Sequence, residues 1–280
     1  VLEERAQDGP GYKALDPVGP GSEFVQRVLD ALSEASRPLI LVGPGMGRQE
    51  RRKAVDRLAE VTGIPAIPME SPRGINDPWL RRATQCLSET DLVLLIGKKL
   101  DFSLAFGASP PFSENCRFIQ IDAESQQIRD GGRVAMSAQV DPLMAAKDLG
   151  AAAEKRNWDN RNWREEVEKM RMAVPPGWES LGKSDNRPIH PLRVCAALQP
   201  YLDRGGIFVS DGGEFGQWVQ GGLEADCRLI NGPSGAIGSG LPMGLGAKLA
   251  HPDRIVFACL GDGTLGFHPL AIDTALRYDI

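Results

Sequence analysis

Short apolar runs recurring along the chain constrain its fold more than any other feature. They are PLILVG at 38–43, DLVLLIG at 91–97, RFIQID at 117–122, GGIFVSDGG at 205–213 and RIVFACLGDG at 254–263. A run that is apolar on both alternating faces suits a strand covered on both sides, the usual condition of a parallel sheet. Between the runs lie segments with apolar residues at helical spacing. In SEFVQRVLDALSEA, residues Phe24, Val25, Val28, Leu29 and Leu32 share one face, with Ser22 as the expected N-cap. Strands alternating with helices of this length need crossover connections, and these are right-handed. The fold class is therefore α/β, with doubly wound parallel sheets.

Two such units are expected. Residues 1–20 are rich in Pro and Gly without periodicity and read as a linker. Residues 21–154 read as a central Rossmann-like domain, with further helices over 48–62, 79–88 and 141–154 and a further strand over 64–69. Residues 155–188 start with the charged helix NWDNRNWREEVEKMRM and continue in VPPGWESLGKSDNRP, a helical and Pro/Gly-rich interdomain linker. Residues 189–280 return to the same rhythm: helix PLRVCAALQPYL, strand IFVS, helix EFGQWVQGGL, strand CRLI, a helix within GSGLPMGLGAKLAH, strand RIVFAC and helix HPLAIDTALRY. The chain opens on Val1 and closes on Arg277-Tyr278-Asp279-Ile280, which reads as a helix leading into another strand. A fragment with a C-terminally truncated second unit is expected, with exposed apolar edges and disorder over 262–280.

Composition excludes several classes. An apolar fraction of 42% and a charged fraction of 25% suffice for two buried cores. A net charge of −5 with acids and bases interspersed argues against nucleic acid as a partner. No apolar run approaches the ~20 residues that cross a bilayer, and no signal-peptide pattern is present. The five cysteines are scattered without a CxxC, which reads as reduced thiols in a cytoplasmic protein. The three histidines, His190, His251 and His268, are too far apart to suggest zinc and read as surface or helix-end residues.

The chemistry gathers at strand ends. In RIVFACLGDGTLGFHPL a strand runs into Gly261-Asp262-Gly263 and then a helix. Parallel sheets bind ligands at the carboxyl ends of their strands. There a carboxylate flanked by glycines suits Mg²⁺, which takes one or two carboxylates plus phosphate oxygens. A helix N-terminus beside it suits the phosphate itself. GDG alone is also an ordinary tight turn. Two upstream segments add to it: IFVSDGGEFGQW ends another strand in a glycine turn, and NGPSGAIGSGLPMGLGAKLA carries glycines before and inside a helix. Such glycines cost helix stability, so they suggest close approach of a ligand or of another backbone. Gly43, Gly45 and Gly47 form a GxGxG after a strand, a weak signal without the rest of the dinucleotide spacing. Neither unit has GxGxxG with an acid about 20 residues later, which disfavours an NAD-dependent dehydrogenase.

Taken in order, SDGGEFGQW, GPSGAIGSGLP and strand–GDG–helix resemble the diphosphate-binding domain of thiamine-diphosphate enzymes of the acetolactate synthase and 2-hydroxyacyl-CoA lyase group. PLILVGPGM, the SPRG loop, LLIGKKLDFSLAFG and FIQIDAE extend the resemblance through the central unit. The resemblance implies thiamine diphosphate and Mg²⁺ as cofactors. Asp262 would hold the metal, and the Gly261 and Gly263 backbone would face the diphosphate. Ile237 would wedge the cofactor into its bent form, while the Gly235 carbonyl and Ile237 amide would meet the aminopyrimidine. Gly213, Glu214 and Phe215 align with a stretch that contacts the diphosphate, usually through Gln and His. Glu214 beside a diphosphate is unfavourable by simple charge. In the central unit the family binds FAD, ADP or no nucleotide, and Lys99, Asp101 and Asp122 would be the contacts. The activating glutamate belongs to an N-terminal domain outside this chain, so no catalytic residue is assigned here and the chain alone is expected to be inactive. The implied activity is carboligation or decarboxylation of 2-keto acids, as in acetolactate synthase. A 2-hydroxyacyl-CoA lyase or oxalyl-CoA decarboxylase-like reaction is the alternative, and a non-catalytic binding or regulatory subunit is a third. The implied assembly is a homo-oligomer, dimer or tetramer.

Overall fold

A computed structural model describes residues 16–47, 49–129, 131–232 and 235–280. Most of the linker expected over 1–20 lies outside the described residues. The first unit contains α1 (Ser22–Glu34), β1 (Pro38–Val42), α2 (Gln49–Thr62), β2 (Ala66–Pro68), β3 (Leu92–Ile96), β4 (Arg117–Asp122), β5 (Val134–Gln139) and α3 (Pro142–Ala153). Its five strands are parallel in the order β2-β1-β3-β4-β5. Alternate strand residues pack on opposite layers, which explains why β1 and β3 are apolar throughout. Ile40, Val42, Leu94, Ile96, Ile119 and Ile121 meet Val28, Leu29 and Leu32 of α1, Leu58 of α2 and Leu149 of α3. Leu39, Leu41, Val93, Leu95 and Phe118 face the other way, onto Trp79, Leu80, Leu87 and Phe112. Each such aliphatic side chain contributes about 1.5–3 kcal/mol by leaving water.

Four features differ from the sequence expectations. Ser22 is the first helical residue, and the cap is Gly21, with no side-chain bond. The helix expected over 79–88 is instead a pair of 3₁₀ turns, Pro78–Leu80 and Ala83–Ser88. Arg81 between them has φ 50°, and this left-handed residue interrupts any continuous α-helix. Strand β5 was not expected, because VAMSAQ is only half buried at the sheet edge and lacks a strong apolar pattern. Residues 262–280, expected to be disordered, form the helices α9 (Asp262–Leu265) and α10 (Leu270–Tyr278). The expected apolar exposure is present there: Phe267, Leu270, Leu276 and Tyr278 are all exposed.

The stretch 155–188 holds α4 (Arg161–Met172) and α5 (Trp178–Gly182). Helix α4 buries Trp163 and Val167 against the first sheet, and the Trp163 indole N–H donates to the Pro38 carbonyl at 2.9 Å. The second unit contains α6 (Pro191–Leu202), β6 (Ile207–Ser210), α7 (Glu214–Gly222), β7 (Cys227–Ile230), α8 (Gly240–Ala250) and β8 (Val256–Cys259), followed by α9 and α10. Its three parallel strands run in the order β7-β6-β8. Helices α6 and α7 cover one face through Leu192, Cys195, Leu202, Val219 and Leu223, and α8 covers the other through Ala247. The chain passes from β6 to β7 on one side and from β7 back across to β8 on the other, so the carboxyl ends of β6 and β8 flank a switch point where ligands bind in open α/β sheets.

Candidate cofactor site

The turns after β6 and β8 are stitched to each other. The Asp211 amide donates to the Cys259 carbonyl at 3.0 Å, and the Gly261 amide donates to the Gly212 carbonyl at 3.1 Å. Asp211 is fully buried, and its carboxylate accepts three backbone N–H groups: Gly212 at 2.7 Å, Gly238 at 2.9 Å and Gly240 at 2.5 Å. One side chain thus ties the loop before α8 to the ends of both strands. A carboxylate is suited to this because it accepts several donors at once and strengthens each bond by its charge. Gly213 has φ 91°, and a Cβ there would lie 3.2 Å from the Gly261 Cα.

These contacts bring most of the sequence-nominated residues together. Ile237 lies over Gly212, where an added Cβ would meet its Cγ2 at 2.4 Å. It is 43% exposed, so an apolar side chain stands open to solvent above the turn. Gly235, with φ 72°, is exposed and lies near Pro72 of the SPRG loop. Pro233 and Ser234 of the same segment lie outside the described residues. Asp262 and Gly263 are exposed at the start of α9, beside the half-buried Gly261. Glu214 is exposed in the first turn of α7. There its charge complements the positive end of that helix. Phe215 turns the other way and packs against the core of the second unit.

The sequence assigns no site role to Asp211 or Thr264, and His268 reads only as a surface or helix-end residue. Asp211 stood in the quoted SDGG but read as part of a glycine turn, because its partners are more than 25 residues away in sequence. Thr264 is buried, with its hydroxyl close to Gly212. The His268 Nδ1 lies 2.7 Å from the Gly238 carbonyl.

The central unit is arranged differently. Lys99 is exposed after β3, and Asp122 at the end of β4 accepts from the Glu124 amide at 3.1 Å. Asp101 is already engaged: it accepts from the Ser103 amide at 3.0 Å and hydroxyl at 2.6 Å, and Lys98 lies 3.6 Å away. Lys98 is buried and donates to the Ser103 hydroxyl at 2.5 Å, and burial lowers its pKa. Of the three residues nominated for a nucleotide, Asp101 is thus engaged within its own turn. Gly43 has a structural explanation as well, because a Cβ there would lie 1.7 Å from the Gly97 carbonyl oxygen.

The second unit's site fits a diphosphate with a hard cation. Asp262 offers an exposed carboxylate next to Gly263, where an added Cβ would meet nothing within 4 Å. Among the described residues no three His, Cys, Asp or Glu side chains converge into a metal site. A single carboxylate completed by phosphate oxygens and water is the donor set Mg²⁺ accepts. Thiolate chemistry is disfavoured at four of the five cysteines, since burial pushes Cys86, Cys116 and Cys259 up to about 12 and Cys195 up to about 11.

Fold and site together define an α/β protein with a glycine-rich loop cluster at the switch point of its second sheet. Residues 25–149 match the thiamine pyrophosphate enzyme central domain, and residues 211–280 match the thiamine pyrophosphate enzyme C-terminal TPP-binding domain. The chain belongs to the thiamine pyrophosphate enzyme family. It is 30% identical to an acetolactate synthase large subunit of Mycobacterium tuberculosis, over 97% of this chain and 50% of that protein. It is 27% identical to a 2-hydroxyacyl-CoA lyase of Oryza sativa subsp. japonica, over 97% of this chain and 48% of that protein. With the human 2-hydroxyacyl-CoA lyase 1 it shares 24% identity, over 89% of this chain and 46% of that protein. The chain spans about half the length of the curated relatives it matches. No helix among the described residues is long and apolar enough to cross a membrane.

Proposed function

We propose that this chain is the central and cofactor-binding part of a thiamine-diphosphate- and Mg²⁺-dependent enzyme that joins or decarboxylates 2-keto acids, in the manner of acetolactate synthase. The observation that carries this reading is the loop cluster tied by Asp211, which leaves the Asp262 carboxylate, Gly235 and the Ile237 side chain exposed beside one another's loops. In this reading residues 21–154 and 189–280 are the two domains. Asp262 holds Mg²⁺, the Gly213, Gly261 and Gly263 backbone faces the diphosphate, and Ile237 supports the cofactor from below. Phe215 packs behind the turn, and Glu214 at the head of α7 is offset by the metal's charge. Thiamine diphosphate, when bound, supplies the electron sink for cleaving or forming a bond next to a carbonyl. The protein's part is to orient it and exclude water.

The similarity to 2-hydroxyacyl-CoA lyases supports a second reading, in which the substrate is an acyl-CoA. A homo-oligomer, dimer or tetramer, belongs to both. Calorimetric titration of thiamine diphosphate with Mg²⁺ into the full-length enzyme tests the cofactor assignment. Saturable binding that Asp262→Ala abolishes is the expected result. No binding by the wild-type protein would instead favour a non-catalytic subunit. Product analysis with pyruvate against a 2-hydroxyacyl-CoA then separates the two enzymatic readings.

A further inference from the structure

We infer that His268 is a positioning residue for the loop 235–240, acting through the Gly238 carbonyl; the inference rests on that loop's proposed role at the cofactor. The Gly238 carbonyl can only accept, so the 2.7 Å contact requires the proton on the His268 Nδ1. The Gly238 amide donates in turn to Asp211, as does that of Gly240. The loop is therefore gripped on one side by a buried carboxylate and on the other by an imidazole N–H. Gly235 and Ile237, whose backbone groups are assigned to the aminopyrimidine, immediately precede these grips. Gly238 has φ 104°, and a Cβ there would lie 2.6 Å from the Phe267 Cβ and 3.0 Å from the His268 Nδ1. The chain of 267–268 thus seats directly on the loop, and glycine is required for the fit. His268 is itself exposed and precedes α10, whose first bonds come from backbone carbonyls. Its replacement should loosen the loop without unfolding the protein.

Three variants separate the Nδ1 contact from general packing. An asparagine places its amide N–H₂ where Nδ1 stands, whereas a glutamine places it where Nε2 stands. Hydrogen exchange of the peptide spanning Gly238 and Gly240 is measured first, together with the urea midpoint. His268→Ala is expected to speed exchange there about fivefold, the loss of one neutral hydrogen bond, while the urea midpoint falls by no more than the loss of that one bond. His268→Asn restores protection and His268→Gln does not. Thiamine diphosphate affinity of the full-length enzyme should follow the same order. Unchanged exchange in His268→Ala, or equal rescue by Gln, would overturn the inference. Failure of the wild-type enzyme to bind the cofactor would sink the functional reading and leave the exchange result to decide the role of His268 in the loop.

Discussion

At the scale of single residues the site depends on a side chain whose sequence context hides it. Asp211 reads as one more polar residue in a turn, because its value lies in holding, besides the adjacent Gly212 amide, two amides more than 25 residues away in sequence. By contrast Asp262 is legible, since a carboxylate between glycines at a strand end carries its own local signature. Glu214 and Phe215 show the limit of alignment by motif: the first stands exposed in the first turn of a helix and the second packs into the core. Asp211→Ala would leave three buried amides without an acceptor. Hydrogen bonds to a charged group each contribute about 1.5–3 kcal/mol, and partial relaxation of the loop should hold the total loss to about 3–4 kcal/mol. Asp211→Asn should recover little, because its N–H₂ would face amide donors. A fall in the urea midpoint at unchanged slope checks this, and an Asn variant as stable as wild type would contradict it.

At the scale of elements, the strands of both sheets are the most legible part, because a run apolar on both faces has few other uses. The misplaced elements are those whose conformation is decided by a single backbone angle or by position at an edge, such as the 3₁₀ pair around Arg81 and strand β5. Glycine patterns are ambiguous for the same reason. In the run from Gly43 to Gly47 the residue type repeats, but the demand on it does not. Gly43 has φ −76° and ψ 169°, which any residue adopts, yet its Cβ would overlap the Gly97 carbonyl at 1.7 Å. Gly45 has nothing within 4 Å of an added Cβ. Gly43→Ala must push apart the ends of β1 and β3 and should cost about 3 kcal/mol, at the upper end of overpacking. Gly45→Ala should be neutral or slightly stabilising, through a less flexible unfolded chain. Paired thermal melts separate the two, and equal effects would mean the run is held by something other than this contact.

At the scale of the whole molecule, the two sheets are joined by a buried polar contact that neither half announces. Arg228 of β7 donates to the Leu223 and Gln220 carbonyls, and its guanidinium lies over Trp79 of the first unit and Phe208 of the second. Its Nε is 3.7 Å from Glu70, while Glu224 accepts from the Trp79 indole and pairs with Arg81. Such a junction could not be read from sequence, because it combines a charge from one unit with an aromatic ring from the other. Asp77, at the cap of the Trp79 turn, gives the junction a pH dependence. Burial raises its pKa from an ordinary 3.8 to about 6; the Trp79 amide and the nearby Arg228 and Arg73 pull it down, and Glu70 pushes it up. Between those two values the folded chain holds a proton that the unfolded chain has released. The stability tied to this group is therefore fully present below about pH 4 and is lost as pH rises through about 6. A shift of roughly two units corresponds to about 3 kcal/mol. Asp77→Asn keeps an acceptor for the Trp79 amide and removes the titration. Its unfolding free energy, measured against wild type by urea titration at a series of pH values, should gain on wild type by about 3 kcal/mol between pH 4 and pH 7. A difference that stays flat across that range would show that Asp77 is ionised in the folded protein throughout, with the cations of the junction outweighing its burial.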